Sequence, residues 1–148
     1  PMFGFGMFGT PAPDTSGLEP ATPASGVATA TSGTGEGGEF REFAHDVVRG
    51  DVRNYLRLGN VAWRGGRFAR AAEHYERATQ VAPDEPRGWH NLAVCRYYLT
   101  LKSNPDDVEE AVTQAFEPLR AANRSDTQYE PALRTLEYFA QLLELDSD

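Results

Sequence analysis

The stretch VRNYLRLGNVAWRGGRFARAAEHYERATQVAPDE, residues 52 to 85, decides the fold. It carries two apolar helical stripes separated by Gly65 and Gly66, the residues best able to take positive φ in a tight turn. Helices of an antiparallel hairpin come close only where small side chains face each other. Gly59 and Ala62 on the first helix leave that room for Ala71 and Ala78 on the second, while Tyr55, Leu58 and Tyr75 fill the remaining volume. Pro83 stops the second helix, since it has no N–H with which to continue the ladder.

The set Tyr55, Leu58, Gly59, Ala62, Gly66, Ala71, Tyr75, Ala78 and Pro83, spread over a period of about 34 residues, resembles the tetratricopeptide repeat (TPR). Ala62 is its one departure, at a place where Tyr is usual. The resemblance implies an all-α fold, a short helix-turn-helix solenoid, and a function in binding. TPR domains hold extended peptides in a concave groove lined by the first helix of each repeat. By that resemblance the groove carries Arg53, Leu56, Asn60 and Arg64, then Arg87, His90, Asn91, Val94 and Tyr97. Asn60 and Asn91 stand where the asparagines of carboxylate-clamp TPR domains stand, which dock chaperone C-termini. Leu56 occupies the clamp's first lysine position.

Working outward, Phe40, Phe43, Ala44, Val47 and Val48 form one helical stripe before the repeat. The pattern predicts a leading helix, a break at Gly50-Asp51, and Asp51 as N-cap of a helix from Val52 to Arg64. After the repeat, Trp89, Leu92 and Ala93 take up the positions of Tyr55, Leu58 and Gly59. The second repeat, residues 86–124, then lengthens, its first helix running through Tyr97, Tyr98 and Leu101. Its second helix is expected to begin at Asn104-Pro105-Asp106-Asp107, with Asn104 as N-cap. Pro118 should kink that helix or end it early. Residues 128–145 place Tyr129, Ala132, Leu133, Leu136, Phe139, Ala140 and Leu143 on one face, a capping helix for the solenoid. The expected organisation is an arm over residues 1–38 and a helical domain over 39–148, with the regular repeat at 52–85.

The arm has two parts. Met2, Phe3, Phe5, Met7 and Phe8, interleaved with glycine, suit an anchor that inserts aromatics into a partner's pocket. Residues 10–38 are rich in Pro, Ala, Thr, Ser and Gly, with almost no large apolar residue between Leu18 and Phe40. A coil of that length spans roughly 30 Å, so the arm can reach beyond its own domain.

The formal charge is −8, which argues against nucleic-acid binding through phosphate neutralisation. That charge is unevenly spread: residues 40–104 hold a net excess of bases between two acidic ends, giving a basic groove. Catalysis finds no support. His45, His74 and His90 lie on three helices at no ligand spacing, no nucleophile–base pattern can be placed, and no cofactor or metal is expected. Cys95 is the only cysteine, so no internal disulfide forms. No apolar run is long enough to span a membrane, and the start at Pro1-Met2 suits either a cytoplasmic chain whose initiator Met was removed or a processed end. The expected function is a non-catalytic adaptor or assembly factor whose basic groove takes an extended or acidic segment of a protein partner. That partner can be a larger complex or a second copy reached by the arm. The alternative is a structural subunit of a large complex, membrane-associated in one version, anchored through the Phe/Met/Gly arm, with membrane contact at most peripheral.

Overall fold

A computed structural model describes residues 9–18 and 37–146, with side chains omitted at 37–40, 42–49 and 145–146. The anchor residues Met2, Phe3, Phe5, Met7 and Phe8 lie outside these residues, as do the side chains of Phe40, Phe43, Ala44, His45, Val47 and Val48. The described chain is all-α: α1 (Gly37–Arg64), α2 (Phe68–Val81), α3 (Pro86–Ser103), α4 (Val108–Ser125) and α5 (Glu130–Asp146). Each helix packs on the next in sequence, the arrangement of a solenoid.

In the first hairpin Gly66, at φ +78°, makes the turn, and the Arg67 amide donates to the Ala62 carbonyl at 2.9 Å. Gly59 is indispensable to the close approach, since a Cβ there would lie 2.4 Å from Cε1 of Tyr75. Ala71, Tyr75 and Ala78 are buried as the small-residue argument requires. Leu58 is not. It is 41% exposed, and Leu56 is fully buried in its place. Successive helical residues are turned by about 100°, so a buried face that runs through Val52, Leu56 and Gly59 points Leu58 away.

Three helix boundaries also depart from expectation. α1 is continuous through Gly50-Asp51, so Asp51 caps nothing. A mid-helix glycine costs about 0.5–1 kcal/mol, less than opening two new helix ends with unpaired backbone groups. Asn104 closes α3, its amide donating to Thr100 at 2.8 Å, and the N-cap of α4 is Asp107, which accepts from the Glu110 amide at 3.0 Å. Pro118 does not end α4; the helix runs on to Ser125 with Pro118 buried in its packed face. Burial of that face beside Ala115, Leu119 and Ala122 outweighs the one hydrogen bond that proline removes.

The core divides in two. One cluster joins Val52, Leu56, Ala62, Ala71, Tyr75, Ala78, Leu92 and Cys95; the other joins Ala93, Tyr97, Ala111, Ala115, Leu119, Ala122, Ala132 and Phe139. Burial pushes the Cys95 thiol up to about 12, so it stays protonated and behaves as a small apolar residue. On α5 the buried face passes through Ala132, Thr135 and Phe139, leaving Leu133, Ala140 and Leu143 exposed. As the last helix of the stack, α5 has one covered face, and that face is rotated from the one the leucines suggest.

Candidate functional site

Residues 9–18 lie against α1, α3 and the start of α5, held mainly by their backbone. Asn91 on α3 uses both ends of its amide on one residue: Oδ1 accepts from the Asp14 amide at 2.7 Å, and Nδ2 donates to the Asp14 carbonyl at 3.1 Å. Arg87 Nη1 donates to the Ser16 carbonyl at 2.8 Å, and Arg53 Nη2 on α1 donates to the next carbonyl, Gly17, at 3.2 Å. These two arginines occupy the same position in successive repeats. Tyr98 donates its hydroxyl to the Pro11 carbonyl at 2.8 Å. The face therefore tracks the segment from Pro11 to Gly17 on main-chain atoms.

Three side chains of the segment are also engaged. Pro11 is buried. The Asp14 carboxylate accepts a short hydrogen bond from the Tyr129 hydroxyl, and its other oxygen accepts from the Ser16 amide at 3.1 Å and the Ser16 hydroxyl at 2.7 Å. Leu18 is only 6% exposed and joins the core cluster of Val52 and Leu56. Between Asp14 and Leu18 the chain makes a turn, with Gly17 at φ +75° and the Leu18 amide donating to Thr15 at 3.2 Å.

A buried relay stands behind Asn91. His90 Nδ1 lies 3.0 Å from Asn91 Oδ1, and His90 Nε2 lies 2.8 Å from the Thr135 hydroxyl on α5. Asn91 Oδ1 is the acceptor for the Asp14 amide, so Nδ1 must carry the His90 proton and Nε2 must accept from Thr135. Burial holds His90 below its usual pKa, consistent with a neutral ring. The relay fixes which way the Asn91 amide points. Burial works against the Asp14 carboxylate, yet the hydrogen bonds from Tyr129 and Ser16 hold its pKa below the ordinary value. Arg87 is likewise opposed by burial but raised by its hydrogen bonds to Glu85 and by Asp14. Glu85 accepts from Arg87 Nε at 3.1 Å and so aims the guanidinium at the segment.

Of the residues expected to line the groove, Arg53, Arg87 and Asn91 touch the segment, Leu56 shares Leu18's cluster, and His90 lies one layer behind. Val94 and Tyr97 are buried core, Tyr97 packing on Phe139 with ring centroids 4.8 Å apart. Arg64 is exposed in the last turn of α1. Asn60 is buried inside the first hairpin, accepting from the Tyr75 hydroxyl at 2.5 Å. Asn60 and Asn91 thus have different work, and the one that meets a peptide holds an internal residue by its backbone, unlike a carboxylate clamp. Tyr98, Tyr129 and Thr135 belong to the site without having been expected there. Tyr98 sits half-buried at the edge of the second core cluster, its ring 5.4 Å from that of Trp63, which leaves the hydroxyl facing the segment.

The tetratricopeptide repeat family matches residues 52–95, from the second half of α1 into α3. Residues 52–95 form a tetratricopeptide repeat. This repeat is a protein-interaction fold, and the arrangement of consecutive helical hairpins agrees with it. Comparisons with curated proteins and with solved structures return no match. Among the described residues, no group of three or more His, Cys, Asp or Glu is placed to hold a metal ion, and no helix is long and apolar enough to cross a membrane.

Proposed function

We propose that this protein is a non-catalytic adaptor or assembly factor that holds an extended segment of a protein partner in the groove between α1, α3 and the start of α5. One observation carries the reading: Asn91 pairs with both backbone groups of Asp14 while Arg53 and Arg87 take the following carbonyls. These groups meet main-chain atoms from Asp14 into the turn at Ser16 and Gly17, and main-chain bonds give affinity while flanking pockets give selectivity. Arg53 and Arg87 bring positive charge beside the segment, that of Arg87 partly offset by Glu85 at 3.1 Å, and the balance favours acidic segments over basic ones.

The test is cross-linking of the full chain to partners from native lysate, read by mass spectrometry, beside an Asn91→Ala, Arg87→Glu double variant. Partner cross-links should map to α1 and α3 and disappear in the variant. Undiminished capture by a folded variant would remove the groove from the function.

A further inference from the structure

Resting on that reading, we infer that the groove selects a short sequence of the form Pro-x-x-Asp-x-x-Gly-Leu, that residues 11–18 are this chain's own copy bound in cis, and that the partner carries a segment of the same form which displaces it. The form follows from which positions the groove covers. Pro11 is buried, and its ring fixes the extended entry of the segment while Tyr98 takes its carbonyl. Asp14 has a carboxylate short enough both to reach Tyr129 and to cap the turn at Ser16. Glutamate is one methylene too long to close that turn in the same way. Gly17 holds a left-handed φ of +75°, which L side chains rarely adopt, and a Cβ there would lie 3.5 Å from Nη1 of Arg87. Leu18 then fills the core between the helices.

The intervening positions are free to vary. Ala12, Thr15 and Ser16 are exposed, so substitutions there should matter little. Selectivity thus falls on four positions, spaced so that the turn delivers the leucine once Asn91 has fixed Asp14. Because groove and segment share one chain, their contact is intramolecular and competes with any partner at an effective concentration set by the residues 19–36 that join them. The closed groove therefore binds a partner more weakly than the same groove with its own segment disabled.

The probe is a fluorescein-labelled peptide of residues 10–18, TPAPDTSGL, titrated into three full-length chains and read by anisotropy. The chains are the native one, an Asp14→Ala, Leu18→Asp variant, and that variant with Asn91→Ala added; circular dichroism checks that each is helical. The double variant should bind the peptide about tenfold or more tightly than the native chain, the effect of removing a tethered competitor. Adding Asn91→Ala should abolish the gain. Peptides altered at Pro11, Asp14, Gly17 or Leu18 should lose binding, whereas one carrying Thr15→Ala should keep it. Equal affinity for the native and double-variant chains, or no binding to a helical double variant, overturns the inference. A dimer in sedimentation that dissociates with Leu18→Asp overturns occupancy in cis and places the segment in the groove of a second copy. A random peptide library separates the two levels. Enrichment of a different, Asn91-dependent sequence overturns the form while the groove reading stands, and absence of any Asn91-dependent peptide removes both.

Discussion

In the first hairpin a glycine lets a ring in. A Cβ at Gly59 would sit 2.4 Å from the Tyr75 ring, so that ring occupies the space between α1 and α2. One repeat period later stands Ala93, and the buried face of α4 offers Ala111, Ala115, Ala122, Pro118 and Leu119 with no aromatic. There the large volume comes from Tyr97 of α3 and Phe139 of α5, with ring centroids 4.8 Å apart. The first repeat is thus filled from within its hairpin, and the second from the capping helix. A small residue in a repeat is informative only together with the large one it admits; once Tyr75 has no counterpart, the rest of the spacing is released and the helices lengthen.

The sharpest way to break this contrast is Phe139→Ala. It should cost about 3–5 kcal/mol, as loss of a buried phenyl does, with the destabilisation read by denaturant titration and centred on α4 and α5. A change below that range would mean that α5 is an accessory to the second repeat and not its filling. Next comes Gly59→Ala, expected to cost about 1–3 kcal/mol through overpacking against Tyr75, with Ala71→Leu in the same range for the same reason. Ala93→Gly should cost about 1–2 kcal/mol, from lost helix propensity and one lost buried methyl, with no steric clash. A neutral or stabilising Gly59→Ala would erase the distinction between the repeats.

Acid should act first on the α3–α5 relay and then, at lower pH, on the arm. The folded pKa of His90 is lowered below 6.5, so its contribution to stability is complete above 6.5 and is lost as pH falls below that value. The folded pKa of Asp14 is lowered below 3.8, so its contribution is complete above 3.8 and is lost as pH falls further. Around His90, Asp14 favours the charged ring and Arg134 disfavours it, while Asn91, Thr135 and the Tyr129 ring complete its surroundings. Stability should fall from pH 7 toward pH 5 at no more than about 1.4 kcal/mol per pH unit, the limit for one proton. His90→Gln should flatten that limb; a slope unchanged by it would assign the acid sensitivity elsewhere. The smallest effect is expected at Leu133→Ser, within about 0.5 kcal/mol, because the side chain is 41% exposed. A larger loss would restore the apolar face that the leucines of α5 suggest.

The first hairpin was legible because its constraints are steric and local: Gly59, Gly66, Ala71, Tyr75 and Pro83 each have one workable role at that spacing. The continuity of α1 was not, since Gly50 lowers helix preference locally while the cost of two extra helix ends is invisible in a window of sequence. The role of Asp107 as the cap of α4 was hidden behind Asn104 for a related reason. Both are good caps, and the choice depends on α3 having already used the Asn104 amide. The repeat register put Arg53, Arg87 and Asn91 on one face, and that is the face on which residues 14–17 lie. The occupant was not legible, because Asn91 and both arginines bind main-chain atoms, which leave no mark on composition. Leu18, the last large apolar residue before a long polar stretch, is the one sign that residues 9–18 have somewhere to pack.

Native-state hydrogen exchange at the Asp14 amide tests the docking of this segment most directly, since that N–H is bonded to Asn91 at 2.7 Å. In the full chain the Asp14 and Leu18 amides should exchange more slowly than an unstructured peptide. Asn91→Ala should release the Asp14 amide while the core of α3 and α4 keeps its protection. Exchange of Asp14 at the unstructured rate in the native chain would contradict the docking, leaving a TPR hairpin array with an unfilled groove.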